Sequence, residues 1–193
     1  MNHYAPIIID YDRDVLIDNI KHLYEKDISK WYLELMDLNK IQPKMFSELE
    51  EKFHSKITVT RLFVTPKHTF SIIHYDQAYK WALNIPIVGC EDNFNVWYKM
   101  KENATHYFSG TKDAQDLTYA ANNSGAQLYK LIDVEEILQK VELKSPMIFD
   151  ASTPHNVVTD NYLDLRVVLS IRFKSGKTKT HEEICKELGF LND

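Results

Sequence analysis

Apolar positions recur with a helical period near both ends of the chain. In DRDVLIDNIKHLYEK, four residues fall on one helical face: Leu16, Ile20, Leu23 and Tyr24. In PKMFSELEEKF, four apolar residues have the same helical spacing: Met45, Phe46, Leu49 and Phe53. THEEICKEL opens with Thr180 and Glu183 at capping-box spacing. We predict an amphipathic helix in each stretch, packed on a larger body.

Between these helices, from Lys56 onward, the pattern changes to short β-branched and aromatic runs separated by polar turns. Eight runs are predicted to be strands: KITVTRLFVT, FSIIHYD, YKWALNIPIV, NFNVWYKM, AQLYKLID, PMIFD, HNVVT and LRVVLSIRF. Helices do not alternate with these runs, which argues against a parallel α/β sheet and favours a β-sandwich or barrel. The earlier stretch WYLELMDL alternates like a strand but contains good helix formers, and its pattern leaves it unassigned.

Length and hydrophobic content are typical of one domain with its own core: the chain has 193 residues, of which 44% are hydrophobic. We predict a single domain over residues 1–193, with a helical N-terminal support in 1–55, a β-barrel core in 56–173 and a C-terminal helix in 174–193. The terminal helices cover the barrel or contact a second copy of the chain, so a homodimer through them is one expectation.

Charge and cysteine content narrow the classes of function. A net charge of -5 and a pI near 5.9 argue against nucleic acid as the main partner, which normally needs a concentrated basic surface. Cys90 and Cys185 are too few and too far apart for a disulfide framework or a cysteine zinc site. No apolar run reaches the roughly 20 residues of a membrane span, and the first residues do not resemble a signal peptide. We therefore expect a cytoplasmic protein without a membrane segment.

A histidine and an aspartate stand two residues apart at the end of the second predicted strand. Because side chains alternate along a strand, His74 and Asp76 share one face and point the same way. One more histidine would complete the two-histidine, one-carboxylate set that binds non-haem iron(II). The alternative is that His74 and Asp76 are two solvated polar groups at the end of a surface strand. The pair by itself favours this alternative over a metal site.

Two later segments carry further candidates. His155 opens a short strand after Pro154, and Arg166 opens the next strand. Along that strand Arg166, Ser170 and Arg172 share one face, opposite a continuous apolar face. This polar face either points outward into solvent or lines a ligand cavity of a barrel, where an arginine binds a carboxylate through two parallel hydrogen bonds.

His74, Asp76, His155 and Arg166 together resemble the motif of the iron(II)- and 2-oxoglutarate-dependent oxygenases, in order and in approximate spacing. The family has a double-stranded β-helix, a jelly-roll or cupin-like barrel, in which these residues lie on the second, seventh and eighth core strands. The resemblance implies iron(II) bound by His74, Asp76 and His155, 2-oxoglutarate as co-substrate bound by Arg166, and dioxygen as oxidant. We assign no catalytic residue beyond the metal ligands.

Three other residues have less specific implied roles. Asn84 fits a hydrogen-bond donor to 2-oxoglutarate or a plain polar contact at a strand edge, Arg172 either assists the co-substrate or braces Asp76, and Ser170 shares the face of Arg172. Trp81, Trp97 and Tyr98 are expected in the core or pocket wall: their size and apolar surface favour burial. The histidines outside the motif are expected to be solvated or structural.

The implied reaction is hydroxylation of an amino acid, a peptide side chain or another small metabolite, with release of succinate and carbon dioxide. NIPIVGC and MIFDASTPHNVVTDNYLDLR resemble the aspartyl/asparaginyl β-hydroxylases, whereas the presence of Asp76 is more similar to prolyl-hydroxylase-like members. The polar segment 101–125 is long enough to suggest a substrate lid or a tolerated insertion. A non-catalytic cupin-like ligand-binding or structural module is the alternative function.

Overall fold

The computed structural model describes residues 2–24, 32–65, 72–108, 126–159 and 165–191. Within these ranges the helices are α1 (Arg13–Ile20), α2 (Leu38–Ile41), α3 (Pro43–Lys52) and α4 (His181–Glu187). The strands are β1 (Tyr4–Pro6), β2 (Tyr32–Leu35), β3 (Ile57–Thr65), β4 (Ile73–Asp76), β5 (Trp81–Val88), β6 (Asn93–Met100), β7 (His106–Phe108), β8 (Ala126–Tyr129), β9 (Val134–Glu142), β10 (Met147–Asp150), β11 (His155–Thr159) and β12 (Arg166–Phe173). The prediction of a mainly β chain with flanking helices is confirmed.

The strands form two antiparallel sheets of six strands each. The first has the order β1-β10-β5-β12-β3-β2, and the second has the order β7-β8-β4-β11-β6-β9. From β3 to β6, consecutive strands fall alternately in the first and second sheets, and β10, β11 and β12 alternate in the same way. The chain therefore crosses repeatedly between the two sheets, and strands far apart in sequence become neighbours.

The two faces of β12 pack against different partners. One face belongs to the large core beneath the helices: Val167, Leu169, Ile171 and Phe173. On the opposite face Val168 packs with Trp97 of the second sheet, so this face points between the sheets. Arg166 and Arg172 share it and are only 5% and 7% exposed. The solvated alternative for this polar face is therefore wrong: the second sheet covers it.

Helix α1 follows its predicted pattern, but it is shorter than the pattern suggested. Asp12 caps it by accepting a hydrogen bond from the Val15 backbone N–H. Leu16 and Ile20, one turn apart, are fully buried. After Ile20 the chain continues in a 3-10 turn, and Tyr24 just beyond it is exposed rather than buried as predicted.

The other two predicted helices form where expected. In and just after α3, three of the predicted apolar positions are buried: Met45, Leu49 and Phe53. In α4, the Thr180 hydroxyl accepts from the Glu183 N–H while the Glu183 carboxylate accepts from the Thr180 N–H, which completes the capping box. None of the helices in the described ranges is both long and apolar enough to cross a membrane.

Several strands differ from the predicted set. The unassigned stretch WYLELMDL contains β2, which pairs with the outer edge of β3, and β1 adds a strand at the other edge of the same sheet. The N-terminal 55 residues thus contribute two strands besides their helices. The predicted strand AQLYKLID ends at Tyr129 and is followed by a 3-10 turn. Strand β9 was missed because its sequence, VEEILQKVE, is mostly polar, as its place at a sheet edge allows.

Apolar and aromatic side chains fill the space between the sheets. Trp97 is fully buried there, with Phe149 4.8 Å away between ring centroids. Its indole N–H donates to the Asp150 carbonyl at 2.9 Å, which satisfies the polar end of the ring. Trp81 and Tyr98 are also buried, as predicted, but in two other apolar clusters, on the outer faces of the sheets. The packing between the sheets excludes water from the polar side chains that share the space.

Candidate metal and co-substrate site

His74 and Asp76 lie on β4, on the side that faces the first sheet. The alternation of the strand places Ile73 on the other side, where it is buried in a separate apolar cluster. The His74 Nδ1–H donates to the carbonyl of Ile72 at 2.9 Å. Because a carbonyl can only accept, this bond leaves the lone pair of the neutral imidazole on Nε2.

His155 lies directly opposite His74. The antiparallel pairing of β11 with β4 matches these two residues, and their ring centroids are 4.5 Å apart. The His155 Nδ1–H donates to the carbonyl of Thr153 at 2.7 Å, which again leaves the lone pair on Nε2. Phe149 packs edge-on against the His155 ring at 4.7 Å. Both histidines thus have the tautomer and the backbone support that metal-binding histidines commonly show.

Arg172 holds the carboxylate of Asp76 by an ion pair between the sheets. Its Nη2 donates to Oδ2 of Asp76 at 2.7 Å, and both side chains are mostly buried. Burial opposes ionisation of Asp76, but the positive charge of Arg172 outweighs it and holds the pKa of the carboxyl below its usual value. Of the two predicted roles of Arg172, bracing Asp76 is the one that this contact supports.

The environment of His155 favours its neutral form. Burial, with the neighbouring His74 imidazole, lowers the pKa of His155 to about 3. A neutral imidazole is the form that binds a metal ion, so no proton has to leave His155 near neutral pH.

The three side chains fit a metal site by type rather than as a ready-made cluster. Two imidazole nitrogens and one carboxylate are the ligands that non-haem iron(II) takes, with other positions left open. In the described part of the chain, however, no three histidine, cysteine, aspartate or glutamate side chains gather closely enough to form a metal-binding group. Arg172 engages Oδ2 of Asp76, and the carboxylate keeps further lone pairs that could bind a metal ion.

Buried polar atoms without hydrogen-bond partners line the adjoining face of the first sheet. Seven such side-chain atoms occur among the described residues, and five share the face of β3, β5 and β12 that points between the sheets: Thr65 Oγ1, Asn84 Oδ1, Arg166 Nε, Ser170 Oγ and Arg172 Nη1. The strand register connects them, because Arg166 lies beside Thr65 and Ser170 beside Asn84. Buried polar atoms are nearly always satisfied in folded proteins, so this concentration marks a place for a polar ligand.

Arg166 lies at the far end of this face from Arg172. Burial lowers the pKa of its guanidinium, because the charged form loses its hydration. The nearby Cys90 thiol is itself buried, and burial raises its pKa, so it is uncharged at neutral pH. A buried guanidinium of this kind is suited to an anionic ligand.

The predicted site residues therefore all lie on strand faces that point between the sheets, on β4, β5, β11 and β12. Two residues of β3 were missed. Thr65 and Arg61 lie on the inner face beside Arg166 and Ser170, and Arg61 also helps to lower the pKa of Asp76. The alternation of RLFVT places both on one face, but the sequence does not show which face turns inward. The predicted lid, residues 101–125, lies outside the described residues from 109 onward.

Comparisons with known proteins give limited matches. A prolyl hydroxylase from Trichoplax adhaerens, solved in complex with a hypoxia inducible factor oxygen degradation domain peptide fragment, is 11% identical; the match covers 100% of this chain and 88% of that one, with a TM-score of 0.49. A non-heme alpha ketoglutarate dependent carbocyclase from nogalamycin biosynthesis is 8% identical over 89% of this chain and 79% of that one, with a TM-score of 0.44. No protein-family model matches the sequence, and no curated protein matches it significantly. These similarities assign the chain to no family.

Proposed function

We propose that this protein is an iron(II)- and 2-oxoglutarate-dependent oxygenase that hydroxylates an amino acid, a peptide side chain or another small metabolite. His74, Asp76 and His155 bind the iron, and Arg166 binds the far carboxylate of 2-oxoglutarate. The observation that carries the proposal is the row of unpartnered buried polar atoms on β3, β5 and β12, which begins at the arginine bound to Asp76. A dicarboxylate beside the proposed metal site would accept hydrogen bonds from the donors among these atoms: Thr65 Oγ1, Ser170 Oγ, Arg166 Nε and Arg172 Nη1.

The order of the strands supports a double-stranded β-helix. We take eight strands as its core: β3, β4, β5, β6, β9, β10, β11 and β12. The first, third, sixth and eighth of these fall in one sheet, and the second, fourth, fifth and seventh in the other, as in a jelly roll. His74 and Asp76 then lie on the second core strand, His155 on the seventh and Arg166 on the eighth, where the motif resemblance implies them.

The chain's own groups prepare the site for this chemistry. The carbonyls of Ile72 and Thr153 orient the two imidazoles so that each presents Nε2, and Arg172 keeps Asp76 ionised. Bound iron(II) would supply the redox chemistry that couples dioxygen and the decarboxylation of 2-oxoglutarate to hydroxylation of the substrate. Arg166 would orient the keto acid through its far carboxylate, and the surrounding apolar packing keeps that ion pair dry and strong.

Asn84, Ser170 and Thr65 complete the proposed co-substrate cleft. Their side-chain oxygens are buried without partners, and Ser170 and Thr65 also carry hydroxyl protons that can turn toward a carboxylate. Asn84 can present either its oxygen or its amide group. We therefore assign these three residues to hydrogen bonds with 2-oxoglutarate, in addition to the salt bridge from Arg166.

The subfamily and substrate form a finer part of the proposal. The presence of Asp76 favours a prolyl-hydroxylase-like ligand set over the aspartyl/asparaginyl type, and segment 101–125 would act as the substrate lid. A peptide or free amino acid is the substrate class to test first. A screen of amino acids and short peptides for stimulation of succinate formation in the presence of iron(II) and 2-oxoglutarate addresses it.

The test of the metal site uses the two histidines. Purified protein should bind about one equivalent of iron(II) anaerobically and develop a weak visible charge-transfer band when 2-oxoglutarate is added. His74→Ala or His155→Ala should abolish both signals, because each removes one of three ligands. The matched control is His54→Asn, which changes an exposed histidine outside the proposed ligand set. It should leave iron binding and the charge-transfer band unchanged. Normal iron binding and turnover without either site histidine would contradict the assignment.

A non-catalytic cupin-like module is the second candidate, and one observation favours it. The three proposed ligands do not form a ready-made cluster among the residues that the structure describes, and Asp76 is already paired with Arg172. Such a module would bind an anion through Arg166 without iron. Anion binding that is unaffected by iron(II), together with no succinate formation, would select this alternative.

A further inference from the structure

Asp150 lies outside the proposed ligand set, yet its carboxylate accepts four hydrogen bonds. Oδ1 accepts from the backbone N–H of Ser152 at 3.0 Å and from its hydroxyl at 2.8 Å. Oδ2 accepts from the Thr153 hydroxyl at 2.6 Å and from Nδ1–H of His3 at 2.8 Å. The residue is 5% exposed and ends β10. These bonds fold residues 150–154 into a tight turn between β10 and β11.

The turn 150–154 contacts both strands that carry the proposed ligands. The carbonyl of Ala151 accepts from the backbone N–H of Asp76 at 2.8 Å, and the carbonyl of Thr153 accepts from Nδ1–H of His155. The carbonyl of Pro154 accepts from the backbone N–H of Tyr98 on β6. The conformation of this turn therefore helps to place Asp76 and His155 relative to each other, together with the pairing of β11 and β4.

The carboxylate is held from the opposite side by the N-terminal segment. His3 is buried, bonds Asp150 and stacks on Trp97 with 5.9 Å between ring centroids. The backbone N–H of Asp150 donates to the His3 carbonyl at 2.9 Å, so main chain and side chain both connect the two residues. Burial opposes the ionised form of Asp150, but the hydrogen bonds from His3, Thr153 and Ser152 outweigh it and keep the pKa of its carboxyl well below the usual value.

We propose that Asp150 is a positioning residue for the metal site: by ordering the turn 150–154, it sets the placement of His155 and Asp76, and His3 holds it in place. This inference rests on the proposed function. Groups that support ligands in this indirect way typically change metal affinity by roughly 10- to 100-fold when they are altered. The sequence pattern does not reveal this role, because His3 and Asp150 are 147 residues apart and meet only in the folded chain.

The test measures iron(II) affinity of the metal-free protein anaerobically, in competition with a chromophoric chelator. Asp150→Asn keeps the shape but weakens the acceptor, and it should reduce affinity by roughly 10- to 100-fold. Thr153→Val removes the hydroxyl bonded to Asp150 but keeps the carbonyl that receives His155, and it should reduce affinity in the same direction. Thr153→Ser keeps that hydroxyl and should retain nearly wild-type affinity.

Comparing Thr153→Val with Thr153→Ser separates an effect on the placement of the proposed ligands from an effect on protein stability. A merely structural role would lower the melting temperatures of Asp150→Asn and Thr153→Val while leaving the affinity of the folded protein unchanged, and that result would overturn the inference. Equal affinity losses in Thr153→Val and Thr153→Ser would overturn it too. If Asp150→Asn fails to fold, the Thr153 pair decides alone. Absence of iron binding in the wild-type protein would instead refute the proposed function, which keeps the two failures distinct.

Discussion

At the scale of single residues, the site is defined by polar groups that the fold buries without satisfying. Arg166, Ser170 and Asn84 each leave an atom unpaired, although removing a polar group from water costs about 1–3 kcal/mol when no partner replaces the lost hydration. A bound dicarboxylate would recover that cost for the Arg166 and Ser170 donors, and for Asn84 when its amide group turns toward the ligand. Arg172 differs, because one of its nitrogens is already committed to Asp76. In the proposed site, the two arginines of β12 therefore have separate tasks, Arg166 toward 2-oxoglutarate and Arg172 toward the proposed metal ligand Asp76.

Replacement of Arg166 tests the first of these tasks. Arg166→Ala should raise the 2-oxoglutarate concentration needed for half-maximal succinate formation by roughly 100-fold or more, because a desolvated carboxylate would lose its fixed counter-charge in the proposed cleft. Arg166→Lys should recover part of this loss, since lysine keeps the charge but not the planar two-point fork. A 2-oxoglutarate titration beside anaerobic iron binding makes the measurement.

Iron binding supplies the control for that experiment. Arg166 lies at the opposite end of β12 from Arg172, which pairs with the proposed metal ligand Asp76, so iron affinity should stay nearly constant in both variants. Unchanged dependence on 2-oxoglutarate in a folded Arg166→Ala protein would exclude Arg166 from the co-substrate site.

At the scale of elements, the end of β5 determines where Arg166 enters β12. Gly89 follows β5 with a φ of +60°, and a Cβ at this position would lie 2.2 Å from the carbonyl oxygen of Leu165, the residue before Arg166. The register between β5 and β12 shifts at the same place, between Val167 and Val168. Close backbone approach, which only glycine permits here, therefore fixes the first residues of β12.

Gly89→Ala should disturb this junction. The left-handed conformation alone costs roughly 1–2 kcal/mol for a residue with a Cβ, and the clash with Leu165 adds to it. Gly189 offers a matched control, because its φ is +76° but no atom lies within 4 Å of the place that a Cβ would take. Chemical denaturation should show a larger loss of stability for Gly89→Ala than for Gly189→Ala, and only the former should weaken 2-oxoglutarate binding. Equal losses would argue against the close approach.

At the scale of the whole molecule, buried ionisable groups make stability depend on pH. The pKa of His155 is lowered to about 3 in the folded protein, whereas an unfolded chain takes up this proton near the ordinary value of about 6.5. As the pH falls below about 6.5 the unfolded state binds more protons, so the folded state loses stability, at most about 1.4 kcal/mol per pH unit from this group. Asp150, with its lowered pKa, adds to the loss below about pH 4.

His155→Asn removes the first contribution. The free energy of unfolding of the metal-free wild-type protein should decline between pH 7 and pH 4 more steeply than that of His155→Asn, and denaturant titrations at several pH values measure both slopes. Parallel slopes would mean that His155 is not buried in its neutral form.

Features that depend on local pattern could be predicted from the sequence alone. Alternation in LRVVLSIRF placed Arg166, Ser170 and Arg172 on one face, and capping chemistry located α4, because side-chain direction in a regular element follows from spacing alone. The histidine and aspartate of β4 shared a face for the same reason. The proposed metal ligands came from the resemblance of His74, Asp76 and His155 to the motif of the iron(II)- and 2-oxoglutarate-dependent oxygenases.

Which strand faces meet depends on how the two sheets pack. Both faces of β12 are buried, so hydrophobicity could not tell whether Arg166 points to solvent or between the sheets, and that depends on the second sheet that covers it. Strand β9 stayed hidden because an edge strand tolerates a polar sequence. His3 and Asp150 are in contact although they are 147 positions apart in the sequence. Arg172 and Asp76, which form an ion pair, are 96 positions apart. The spacing of residues along a strand determines the direction of each side chain. It does not determine which residue from a distant part of the sequence that side chain contacts, because this depends on how the sheets pack.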